Sequence, residues 1–89
     1  MEPELLQKIE QLARLLLTPQ QIGDLLGLDN EEVAAFTNPY SEVGMLYRKI
    51  LAEQAKDIHA KTMQLASVGS PSALEQAADW LKSAMNSIE

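Results

Sequence analysis

The sequence lacks cysteine altogether and has one histidine, one tryptophan and one phenylalanine in 89 residues. Without cysteine, neither a disulfide framework nor a thiolate metal site can staple the fold. The lone His59, beside Ala60 and Lys61, has no companion at metal-ligand spacing and reads as a surface side chain. Apolar runs are short. Runs such as Leu15-Leu16-Leu17 fall far below the roughly 20 residues of a membrane span, and no basic-then-apolar leader opens the chain. Cytoplasmic localisation and no membrane partner are therefore expected. Glycine-rich phosphate loops and serine elbows are missing, because Gly69-Ser70-Pro71 reads as a helix break. Acid pairs such as Glu31 and Glu32 fall on open helix surface, where nothing raises a carboxyl pKa for acid-base work. The expectation is no enzyme, no metal, no cofactor and no small-molecule substrate.

Positive charge is also scarce. Seven Lys and Arg stand against thirteen Asp and Glu, a net charge of −6 and a pI near 4.6. Phosphate neutralisation supplies most nucleic-acid affinity, so an acidic chain does not collect on DNA unless its few bases are concentrated. A chain of this length buries only about 60–65% of its unfolded surface, a thin margin that self-association often supplements.

What the sequence does have is helical spacing throughout, with no run alternating at a period of two. Five helices are predicted. The first runs from Pro3 to Leu17 on a stripe of Leu5, Ile9, Leu12 and Leu16. The second opens with Thr18 as N-cap, Pro19 as first residue and Gln21 closing a capping box, and it stops at Gly27. The third starts with an Asp29–Glu32 box, carries Val33 and Phe36 inward and ends at Asn38-Pro39. The fourth is long, from Ser41 to Val68, roughly 40 Å at 1.5 Å per residue. A Ser72–Glu75 box is expected to open the fifth, with Leu74, Ala77, Ala78, Leu81, Met85 and Ile88 inward. The predicted fold class is all-α, with an N-terminal three-helix head over residues 1–40. Residues 41–89 are predicted to form an antiparallel hairpin and the oligomerisation region.

Residues 18–37 read as a helix-turn-helix. Gly23 is small where the two helices cross, and Gly27 can take the left-handed conformation that turns the chain. In DNA-binding versions the second helix presents its N-terminal half to the major groove. Here that helix offers Asp29, Asn30, Glu31, Ala34, Ala35 and Thr37, with no Arg, Lys or Gln. Asn30, Thr37 and Asn38 are the candidate base readers, and Arg48 and Lys49 the candidate phosphate contacts. Residues 1–41 carry two bases against seven acids, a net −5, and residues 42–89 five against six, a net −1. The half with the motif is the more acidic. A head that only scaffolds protein contacts, or a small transcriptional regulator, stand as alternatives.

The order of pieces resembles the small terminase subunits of tailed phages and their prophage relatives. The resemblance rests on LTPQQIGDLLGL at 17–28, Pro39-Tyr40, Tyr47-Arg48-Lys49, and LASVGSPSALEQAADWL at 65–81. It covers nearly the whole chain and implies a non-catalytic DNA-packaging factor. Such a factor assembles as a homo-oligomeric ring, recognises viral double-stranded DNA and hands it to a large ATPase-nuclease terminase subunit.

The fourth helix changes face along its length. Val43, Leu46, Tyr47 and Ile50 form a stripe expected to cover the head. Leu51, Ala55, Ile58, Thr62 and Leu65 form another, rotated by roughly 90°. A thinner line of Met45, Ala52, His59 and Met63 lies opposite. Leu51, Ile58, Met63, Leu65 and Trp80 are the candidate oligomer interface, with Trp80 read alternatively as capping the edge of its own core.

Overall fold

A computed structural model describes residues 1–87 and shows five helices with no strand among them. They are α1 (Pro3–Ala13), α2 (Pro19–Leu26), α3 (Asn30–Ala35), α4 (Glu42–Ser67) and α5 (Pro71–Asn86). The chain is all-helical as predicted, with the long α4 packed against the C-terminal α5.

Local side-chain chemistry sets most helix boundaries. Thr18 accepts from the Gln21 N–H while Gln21 reaches back to the Thr18 N–H, and Asp29 and Glu32 repeat the arrangement. Gly27 sits at φ 69° and ends α2, with the Leu28 N–H donating to the Gly23 carbonyl at 2.9 Å.

Three boundaries differ from the periodicity. The first helix stops at Ala13 rather than Leu17, because Leu15 and Leu16 close three-residue turns and Leu16 swings to φ 63°. This reversal brings the chain into the extended Thr18 that must precede Pro19. The third helix stops at Ala35, and Phe36, Thr37 and Asn38 continue as three-residue turns. The Ser72–Glu75 box is not formed. Proline at 71 starts α5 and holds Ser70 in the extended N-cap conformation, so Ser72 already lies inside the helix.

The Ser41 hydroxyl starts α4. It accepts from the Gly44 N–H at 2.9 Å and donates to the Ala35 carbonyl, tying α4 to the end of α3. Gly44 is buried there, and a Cβ on it would fall on the Asn38 carbonyl oxygen.

Packing groups the chain into two units, Met1–Gln54 and the residues from Ala55 on, so α4 contributes to both. The first unit closes on Ile9, Ala13, Ile22, Phe36, Val43 and Ile50, all buried. Leu46 and Tyr47 pack against this cluster, and Tyr47 meets Phe36 edge to face at 5.4 Å between ring centres. The first stripe of α4 thus covers the three-helix head.

The second unit is thinner, with Ala66 and Ala73 as its buried apolar residues. His59 and Trp80 stack in parallel, ring centres 3.5 Å apart and planes 5° from coplanar. Here the expected facing of α5 is overturned for all of its described stripe but Ala77. Leu74, Leu81 and Met85 are 50%, 62% and 53% exposed, and Ala78 is exposed with them. The side turned inward carries Ala73, Ala77 and Trp80, about 100° round the helix from the leucine stripe. The side against α4 thus combines small side chains with the stacked Trp80 ring. Ile88, the last residue of the expected stripe, lies outside the described residues.

Candidate nucleic-acid and assembly surfaces

The crossing of α2 and α3 is built on Gly23, which is buried and whose added Cβ would overlap a Val33 methyl. That close approach leaves the outer side of α3 open, with Asn30, Glu31 and Ala34 exposed. The three candidate readers are not equivalent. Asn30 is exposed in the first turn of α3 and makes no side-chain hydrogen bond among the described residues. Thr37 lies past the helix end, its hydroxyl donating to the Ala34 carbonyl at 2.8 Å. Asn38 spends its side-chain oxygen on the Tyr40 N–H at 2.9 Å, holding the link to α4. Asp29 and Glu32 are occupied in the capping box, so Glu31 is the acid projecting outward from α3.

The bases divide by engagement. Arg14 donates to Glu10 at 2.9 Å and to Glu53 at 3.0 Å. Its guanidinium pKa is raised, first by the hydrogen bond to Glu10 and then by that to Glu53. Arg14 is thereby committed to carboxylates. Arg48 and Lys49 are exposed on the first half of α4 and form no ion pair among the described residues. Consecutive on a helix, they diverge by about 100° and do not point the same way. The Tyr47 hydroxyl beside them donates to the Leu17 carbonyl at 2.9 Å, and burial pushes its pKa up.

Of the candidate interface residues, Leu51 is half-buried in the first unit, while Ile58, Met63 and Leu65 are exposed in the second. Trp80 is half-buried and stacked on His59, so its ring serves the hairpin of its own chain. Sequence reasoning missed two exposed features. Tyr40 is 90% exposed in the link that follows α3, where the Pro39-Tyr40 pair was the available signal. The other is the leucine stripe of α5, whose spacing was visible but whose facing was not.

Among the described residues, no group of three or more His, Asp or Glu side chains is placed to hold a metal ion. No described helix is long and apolar enough to cross a membrane. No family model, curated protein or solved structure matches the chain.

Proposed function

We propose that this chain is a non-catalytic helix-turn-helix protein that works as assembled copies, each head binding duplex DNA weakly. This is the manner implied by its resemblance to small terminase subunits. Recognition of viral DNA for packaging, a large terminase subunit as partner and a cytoplasmic location belong to the same reading. The observation that carries it is the α2–α3 crossing, closed by Gly23 and turned by Gly27, which leaves Asn30 exposed on the outer side of α3. Glu31 opposes the approach of phosphates, so one head is a poor DNA ligand. Arg48 and Lys49, exposed and in no ion pair among the described residues, supply positive charge in that unit. Linking many heads multiplies weak contacts through effective concentration.

Gel-shift titration at about 50 mM and 200 mM salt, with light scattering on the same samples, tests the reading. Binding that weakens with salt and is lost in Arg48→Ala/Lys49→Ala is expected. An assembled protein that shifts no DNA at either salt sinks it. A second reading, the head as a scaffold for protein contacts, is favoured by the engagement of Thr37 and Asn38 with their own backbone. It predicts assembly without any shift.

A further inference from the structure

Leu74, Ala78, Leu81 and Met85 follow one another along α5 at intervals of four, three and four residues. This heptad spacing keeps them within an arc of about 60°. All four are exposed. Ala78, Leu81, Lys82 and Met85 also line a shallow depression on this face. Their positions, i, i+3, i+4 and i+7, outline the hole that receives a side-chain knob from a facing helix.

Charge and symmetry decide what fills it. Glu75 and Lys82 flank the seam on one side, seven residues apart. When two α5 helices run antiparallel about a two-fold axis at Ala78, Glu75 of each copy comes level with Lys82 of the other. The mismatch is only about one residue's rise, ~1.5 Å. The same register sets each Leu74 over the other copy's hole, and the small Ala78 at the axis lets the helices close. Parallel pairing instead carries Glu75 and Lys82 of the two copies to opposite flanks of the seam, where they meet Ala77 and Ala84 and form neither ion pair. One register therefore satisfies shape and charge together.

We infer that α5 pairs antiparallel with α5 of a second copy, through Leu74, Ala78, Leu81 and Met85 and two Glu75–Lys82 ion pairs. This deepens the assembled-copies part of the function proposed above and rests on it. Two-fold pairing is closed, so larger assemblies are built in even numbers of chains. The seam is short and the pairing is correspondingly weak, so association rises with concentration.

The test is sedimentation equilibrium on the full chain without DNA, with circular dichroism to confirm retained helix. The mass is expected to rise from one chain to two with concentration. Leu74→Glu abolishes the rise, Glu75→Lys and Lys82→Glu each weaken it severalfold, and the two charge changes together restore it. Because the chain has no cysteine, Ala78→Cys gives a disulfide-linked dimer on mild oxidation. Ser83→Cys, on the opposite side of α5, does not. A folded monomer at every concentration overturns the pairing, as does failure of the charge swap to restore association, or equal cross-linking at both cysteines. A protein that still assembles as Leu74→Glu and shifts DNA loses only the α5 pairing, whereas one that pairs through α5 and shifts no DNA loses only the DNA reading, so the two failures are told apart.

Discussion

The Tyr47 hydroxyl donates a 2.9 Å hydrogen bond to the main-chain carbonyl of Leu17, thirty residues earlier. That carbonyl lies just past the left-handed Leu16, where α1 has ended and no helical N–H reaches it. One phenol thus holds the α1–α2 turn to α4 while its ring packs on Phe36. Tyr47→Phe keeps the ring and strands the carbonyl. It is expected to cost about 1–2 kcal/mol in urea unfolding.

The same residue makes an alkaline prediction. Burial raises the Tyr47 pKa in the folded state above its unfolded value near 10. The folded state therefore prefers the neutral phenol. Its contribution is complete below the unfolded pKa and is lost as pH rises through the folded one. Unfolding titrations above about pH 10 should show this loss, and Tyr47→Phe should remove the part due to this residue.

Gly44→Ala would raise helix propensity by about 1 kcal/mol at an unhindered site. Here the added methyl falls on the Asn38 carbonyl oxygen, with the Ser41 hydroxyl oxygen 2.8 Å away. Overpacking against backbone costs about 1–3 kcal/mol. A net loss of up to about 2 kcal/mol is expected from these opposing terms. Stabilisation would show that the α3–α4 junction is looser than described.

Leu16 adopts a conformation that costs a non-glycine residue about 1–2 kcal/mol. Leu16→Gly relieves this and is expected to stabilise by about 0.5–1 kcal/mol, after the entropy glycine adds to the unfolded chain. Leu16→Val, β-branched in the left-handed region, should move the chemical-denaturation midpoint the other way.

Unequal cores predict unequal protection. Six buried apolar residues hold the first unit and two alanines the second. Native-state hydrogen exchange should find the amides of Ile58–Ala66 and Ala73–Ala84 opening at lower free energy than those of Ile9–Ala13. Trp80→Ala should accelerate exchange in the second unit and leave the first unchanged.

Helix starts were legible wherever one side chain spaced three residues from another could satisfy an orphan N–H. Thr18 with Gln21 and Asp29 with Glu32 are such pairs, and Gly27 announced the turn between them. The Val43–Ile50 stripe was legible because its hydrophobic face coincides with its buried face. Other features were decided by contacts that periodicity does not encode. The apolar period of α1 runs on through Leu17, but Pro19 governs where the backbone leaves the helix. At 71, proline pre-empts the Ser72–Glu75 box. In α5, hydrophobicity favours the leucine side, whereas size and the His59–Trp80 stack turned the alanine side inward. Among the site residues, the exposure of Asn30 followed from its place on α3. The local bonds that occupy Thr37 and Asn38 depend on a loop whose path only the fold reveals.

The pairing of His59 with the sole tryptophan gives the molecule an optical reporter confined to one half. Intrinsic tryptophan emission follows the hairpin and is blind to the head, whose aromatic groups are phenylalanine and tyrosine. A ligand that dims or shifts this emission has therefore perturbed the ring stack between α4 and α5, whereas an event confined to the helix-turn-helix must be followed by another signal.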